Sequence, residues 1–415
     1  MTSTWGDIMK LFDVVSTKDA IEEMKENFHI NLQSENVGLI ESLDRYISED
    51  IKSQINVPHF KKSLVDGYAV LAKDVFLASE SNPVPMTLAG ESQMGKICDN
   101  ILSIEEVVYV PTGGMVPHNA EGVVMIEYTE KLSEDTILIQ KGVSLNENIV
   151  EIGEDIKEGE KIYKKGHFIN ERDLGVLAGA NIKSVPVYKK IVVGVISTGD
   201  EILNPEEDIR DAMIKDINSY MLYGQISKIS CQPIIYKPAK DNLQEIIDLM
   251  DKAVNECDIV LISGGSSVGK KDETIKAIES FKDSKILIEG IAIKPGKPTI
   301  IAGINNKLVV GLPGHPLSCG FVVEAIVKPF ILSLFHEEKD NKFVLCEFTY
   351  NYHKSRGREE YLAVDIKEEN NILKCTPIFA KSSVIKHFAY CDGYIKIDRD
   401  LEGIHKGEIV KVILF

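Results

Sequence analysis

Cysteine is scarce in this chain and never closely spaced: seven residues (Cys98, Cys231, Cys257, Cys319, Cys346, Cys375 and Cys391) among 415, with no CxxC pair. That excludes a disulfide framework and a structural zinc site, and reads the thiols as reduced packing residues. Also lacking is any run of about 18 apolar residues suited to a membrane span. The start, Met1-Thr2-Ser3-Thr4-Trp5-Gly6-Asp7, has neither the basic nor the apolar region of a secretory signal. The expectation is a cytoplasmic protein with no membrane partner. Positive charge is short as well: 47 Lys and Arg against 64 Asp and Glu leave a net charge of -17, a field that repels nucleic acid and acidic lipid. Any anionic ligand must therefore meet a local basic pocket. No low-complexity tract and no internal repeat interrupts the chain.

What is present is globular: 44% hydrophobic and 27% charged residues. At 415 residues the chain exceeds one ordinary domain, and a norm of about 100 to 200 residues per domain predicts two to four. From Ile191 onward, short apolar β-branched runs alternate with helical spacing. The runs are Ile191 to Ile196, Asp258 to Ile262 and Lys307 to Leu312, continuous enough for strands buried on both faces. Leu243 to Val254 and Glu273 to Phe281 carry apolar residues at three-to-four spacing and read as crossover helices. Tyr109 to Gly166 is broken into short β-rich runs by Gly, Pro and Asn. Glu337 to Lys342 is charged and reads as a linker, after which the pattern suits a small β-barrel. The expected fold class is α/β plus β. Its parts are a small discontinuous α/β linker domain (1–52 with 154–184), a mostly β lobe (53–153), a doubly wound α/β domain (185–336) and a C-terminal β-barrel (337–415).

Three glycine-rich loops each follow a run read as a buried strand, where ligands gather outside the carboxyl ends of parallel strands. In Ser197-Thr198-Gly199-Asp200-Glu201 the glycine permits a tight turn, and the carboxylates either hold Mg²⁺ or cap a turn. Ser263-Gly264-Gly265-Ser266-Ser267-Val268-Gly269-Lys270-Lys271-Asp272 offers backbone N–H groups and hydroxyls to a phosphate, with Asp272 beside it, and lacks the ending of a Walker A loop. Lys294-Pro295-Gly296-Lys297-Pro298 places two lysines on a proline-stiffened turn preset for an oxyanion. A fourth turn, Gly311-Leu312-Pro313-Gly314-His315-Pro316, precedes the apolar helix Leu317 to Leu334; it either seats an anion or redirects the chain, and His315 reads as structural. Asp66 and Asp155 lie in ordinary turns and gain interest if one cleft holds both.

Taken together and in order, Ser63-Leu64-Val65-Asp66-Gly67-Tyr68-Ala69, Pro111-Thr112-Gly113-Gly114, Gly153-Glu154-Asp155, the loop at 197–201, Asp216-Ile217-Asn218, the loop at 263–269, Ile293 to Pro298 and Gly311-Leu312-Pro313-Gly314 resemble the motifs of the MoeA family and the gephyrin E domain. The resemblance runs from about residue 35 onward and implies a molybdopterin molybdenumtransferase. Such an enzyme places molybdate on adenylylated molybdopterin with Mg²⁺ and releases AMP. It also implies a homodimer, in which the α/β domain of one subunit faces the Asp66 and Asp155 regions of the other. Molybdopterin adenylyltransferase and molybdoenzyme apoproteins would be its transient partners. By resemblance, Asp66, Asp155, Asp272, Lys294 and Lys297 are the catalytic candidates. Thr112, Ser197, Thr198, Gly199, Asp216, Ser263, Gly264, Gly265, Ser266, Pro298, Pro313, Gly314, Arg358 and Ser382 are the binding candidates, and Asp200, Glu201 and Asp241 the Mg²⁺ candidates. The chain departs from the family pattern at Lys62, Val150-Glu151-Ile152, His315 and Lys381. Those departures keep open a tungstate-using variant or a non-catalytic cofactor carrier, and the adenylyltransferase shares the same α/β domain.

Overall fold

The computed structural model describes residues 14–264, 271–335, 342–379 and 383–415. Its contacts divide the chain into two units: the stretch up to Ser34 joined to Tyr188–Phe415, and Glu35–Val187 between them.

In the larger unit the apolar runs become a six-stranded sheet. Its order is Gln232–Ile235, Val192–Ser197, Ile259–Ser263, Lys307–Leu312, Ile300–Ile304 and Ser284–Glu289. The first four strands are parallel. The last two run antiparallel to their neighbours, so the sheet of this doubly wound domain is mixed. Val260 and Ile262 enter a core shared with the helices Leu243–Glu256 and Lys271–Glu279. The alternate residues Ile259 and Leu261 are also fully buried, so both faces are covered as a continuous apolar run requires. Leu243–Glu256 starts where Asn242 accepts the N–H groups of Gln244 and Glu245, and it buries Ile246, Met250, Ala253 and Val254 along one stripe.

Pro316–Leu334 forms one helical run, α-helical at both ends and π-helical over Val323–Val327. At 19 residues and mean hydropathy 1.8 it is long and apolar enough to cross a bilayer, which corrects the expectation that no such run exists. Its two charges, Glu324 and Lys328, neutralise each other at 2.8 Å, and Phe321, Ile326, Phe330 and Ile331 are fully buried in the protein. It is the core helix of this unit, and the helix Thr17–Asn27 packs against it.

The C-terminal residues close a five-stranded barrel. Glu359–Glu369 pairs with both Ile372–Pro377 and Gly393–Ile397, and Phe343–Phe348 and Ile409–Leu414 complete the circuit. Phe348, Val364, Cys375 and Val412 fill its interior. The short strand Ile293–Lys294 joins this barrel in parallel, opposite Glu359 and Glu360.

The smaller unit holds a second six-stranded sheet, Gly122–Met125, Gly67–Val70, Glu106–Val110, Val84–Glu91, Thr136–Ile139 and Thr129–Lys131. Ala69, Val108 and Val123 serve one core and Val70, Val107 and Val124 the other. A third core, with Ile47, Ile169, Leu177 and Val187, surrounds the helix Glu171–Gly179. Asn170 and Asp173 form a capping box there, and Asp173 also accepts from the Tyr163 hydroxyl and bonds the His167 ring, each at 2.8 Å.

Candidate active site

At the carboxyl edge of the parallel strands, buried residues end abruptly in turns. Ser197 and Ser263 are the last residues of adjacent strands and pair in register. Their hydroxyls lie 3.2 Å apart, and Ser197 Oγ also donates to the buried carboxylate of Asp216 at 2.9 Å and meets Ser219 Oγ at 2.9 Å. Asp216 in turn accepts the N–H of Ser219 at 3.0 Å, the spacing of an Asp cap on the helix Asn218–Ser227. One buried acid thus ties a strand end to a helix start, and Ser263 joins the cluster through Ser197. Ser219 escapes the sequence reading, although Asp-x-x-Ser before an apolar helix is the signal for it.

The first two loops lean on each other. The Thr198 N–H donates to Ser263 O at 2.8 Å, and a Cβ on Gly264 would fall 2.3 Å from Thr198 O and Oγ1. Gly264 has φ +131°, so any side chain there is excluded by both conformation and space. Above this floor opens a cleft of about 400 Å³. Ser197, Thr198, Gly199, Glu201, Asp216, Asp241, Ser263, Gly264 and Gly314 all line it. Pro313 is buried, and the carbonyl of the next residue, Gly314, accepts the Asn218 amide at 2.8 Å. His315, read from sequence as structural, also lines the cleft, as do Lys215 and Ser383, which sequence reasoning passed over.

Asp200 and Asp241 clasp their two turns together. The Asp241 N–H donates to Asp200 Oδ1 at 3.1 Å and the Asp200 N–H to Asp241 Oδ2 at 3.4 Å. Among the described residues no three His, Cys, Asp or Glu groups gather as a ready-made metal site. Glu201 and Asp241 remain hard oxygen donors on the cleft wall, a set that suits Mg²⁺ only when ligand phosphates complete the shell.

The third loop lies at the same sheet edge but outside the cleft lining, because it leads into the antiparallel strand Ile300–Ile304 and meets the barrel. Gly296 (φ +118°) packs so tightly on Val322 that a Cβ would come within 2.6 Å of it. The Lys297 carbonyl accepts from Ile291 and Thr299, and Pro298 is half-buried beside it. Lys294 Nζ sits 2.6 Å from Glu360 Oε1, a buried carboxylate that also accepts the Tyr352 hydroxyl. Arg358 precedes that strand and is exposed.

In the smaller unit Asp66 is exposed, and its Oδ1 accepts the Thr112 N–H at 2.8 Å. Asp155 is exposed on a turn whose N–H donates to Val57 O. Lys61 pairs with Glu151 at 2.7 Å beside it. Gly265, Ser266, Lys381 and Ser382 lie outside the described residues, as does the side chain of Asp272, whose backbone opens the helix Lys271–Glu279. All seven cysteines are buried and unpaired. Burial, with Asp216 nearby, pushes the Cys319 thiol far above its usual range, so it packs rather than reacts.

The MoeA N-terminal region (domains I and II) matches residues 15–180, a domain described as "Probable molybdopterin binding domain" matches 194–333, and the MoeA C-terminal region (domain IV) matches 347–415. A molybdopterin molybdenumtransferase of Bacillus subtilis is 30% identical over 400 residues, 95% of this chain and 93% of that one. One of Staphylococcus aureus is 34% identical over 317 residues, covering 76% and 75%. A crystal structure of a molybdopterin biosynthesis MoeA protein from Pyrococcus horikoshii OT3 superposes with TM-score 0.83 at 29% identity, over 97% of this chain and all (100%) of that one.

Proposed function

The chain belongs to the MoeA family, and from that premise we propose that it is a molybdopterin molybdenumtransferase of molybdenum cofactor biosynthesis. Its substrates are molybdate and adenylylated molybdopterin, and AMP is the leaving product. The observation that carries this reading is the cleft. About 400 Å³ suits a pterin-sized ligand. Its floor is built from the strand-end hydroxyls of Ser197 and Ser263 together with Gly199 and Gly264, which bring backbone without a side chain to the cleft. The helix run beginning at Pro316 points its N-terminus at the same space, where a phosphate is favoured.

Glu201 and Asp241 would hold Mg²⁺ together with ligand phosphate oxygens, and the ion would offset charge at the phosphoanhydride. Lys294, Lys297 and Arg358 supply the positive charge that a molybdate oxyanion needs on a protein of net charge -17. Asp66, Asp155 and Asp272 act as acceptors for ligand N–H groups or the attacking water. The working form is a cytoplasmic homodimer in which the Asp66 and Asp155 turns of one copy serve the cleft of the other, and molybdopterin adenylyltransferase and molybdoenzyme apoproteins are its transient partners.

Incubating the purified protein with adenylylated molybdopterin, molybdate and Mg²⁺ should release AMP, at least about tenfold faster than Lys297→Ala. AMP release no faster than that control would sink the reading. ATP-dependent adenylylation of molybdopterin would replace it with the adenylyltransferase.

A further inference from the structure

Outside the cleft, one buried charge has no packing reason to be where it is. Glu360 is 5% exposed on the barrel strand Glu359–Glu369, and burying a carboxylate is costly unless it is paired and hydrogen-bonded. Both conditions are met from one side. Lys294 Nζ stands 2.6 Å from Oε1, and the Tyr352 hydroxyl donates to the same oxygen. The register fixes this meeting, because Lys294 lies directly opposite Glu360 in the parallel pairing of the short strand with the barrel. Next door, Glu359 faces elsewhere, to Thr17 at 2.6 Å and Lys396 at 3.1 Å, so the two acids have separate duties. The ammonium is half-exposed while its acid is sealed. That exposure leaves part of the ammonium open to a ligand arriving from solvent.

We propose that Glu360, backed by Tyr352, is a positioning residue that holds the Lys294 ammonium in place for a tetrahedral metal oxyanion. The inference rests on the reading of Lys294 as an oxyanion ligand given above. An ammonium has three N–H donors, and one directed at Glu360 leaves two for the ligand. The anchor removes the rotamer freedom that a flexible lysine would otherwise lose on binding, in the way that outer carboxylates orient a ligand group. Because the pair is neutral as a unit, the net positive charge of the site comes from Arg358 and Lys297, and Glu360 contributes geometry rather than field. The barrel thereby sets the position of a lysine carried by the α/β part.

The test is calorimetric titration of molybdate into the full-length protein, its Glu360→Gln and Lys294→Met variants and the double variant, with melting curves alongside. Glu360→Gln should weaken molybdate about tenfold, and the double variant should bind no more weakly than Lys294→Met alone, since the two act as one unit. Glu360→Asp should recover part of the loss. A molybdate Kd in Glu360→Gln within twofold of wild type, losses that multiply in the double variant, or no binding by wild type would each overturn the proposal. Should Glu360→Gln fail to fold, Tyr352→Phe decides: a Kd raised more than twofold supports the anchor, and an unchanged Kd overturns it. Glu360-dependent molybdate binding by a wild-type protein that releases no AMP would uphold the anchor and sink the transferase.

Discussion

The cleft of the larger unit and the acidic turns of the smaller one use the same residue types in opposite ways. Asp216 is buried and bonded to Ser197 and Ser219 at the ends of a strand and a helix, so its position is inherited from the core. Asp66 and Asp155 are exposed, each on a turn kept in shape by a few local bonds such as Thr112 N–H to Asp66. The cleft acid is part of the architecture, whereas the turn acids can be exchanged without disturbing the fold beneath them.

The sharpest way to break the cleft side is Gly264→Ala. A methyl group 2.3 Å from Thr198 O on a residue at φ +131° forces the two loops apart. Strain of this kind costs about 1–3 kcal/mol before the clash is counted, so chemical denaturation should show a loss of at least about 2 kcal/mol, together with loss of ligand binding. Next comes Asp173→Ala in the smaller unit, which removes the acceptor of the Asn170 N–H, His167 and Tyr163 and should cost about 2 kcal/mol. Burial raises the Asp173 carboxyl, but those three hydrogen bonds outweigh it and hold the group below its ordinary value. Its stabilising contribution is therefore complete above about pH 4, near the unfolded value, and is lost as pH falls through the lower folded value. The wild-type advantage over Asp173→Ala should shrink accordingly in denaturation at pH 7, 5 and 3. Least effect on stability is expected from Asp66→Asn and Asp155→Asn, within about 0.5 kcal/mol. Their AMP release should nevertheless fall at least about tenfold; a large drop in melting temperature instead would erase the contrast between the two regions.

Much of the α/β part was legible because strands buried on both faces announce themselves as unbroken apolar runs. Lys307–Leu312 is found at its exact bounds, and Leu243–Glu256 extends its expected helix by two residues. Strand direction at the sheet edge was not legible, since Ile300–Ile304 has the same local pattern whichever way its neighbour runs. The long apolar helix was legible as Leu317 to Leu334, but Glu324 and Lys328 interrupt its apolar run in the sequence, and their i,i+4 pairing, which offsets those charges, is visible only in the fold. Of the site, the glycine loops could be read from their place after strands. The Glu360 anchor could not, because consecutive acids at Glu359-Glu360 look like a solvated strand end until the barrel closes over one of them. The split of the three loops into a cleft and a lysine turn likewise depends on a strand pairing far apart in sequence.

The helix Pro316–Leu334 has a consequence for how the protein is made. Phe321 in its first half is covered by Tyr361, Phe388 and Tyr394, all of which leave the ribosome after it. A 19-residue apolar segment thus emerges before the barrel that shelters it exists. During synthesis it is a sticky, chaperone-seeking surface, and the larger unit cannot settle until the downstream strands arrive. Truncating the barrel would therefore do more than delete a domain: it would strand this segment in the open and turn a folding intermediate into an aggregate.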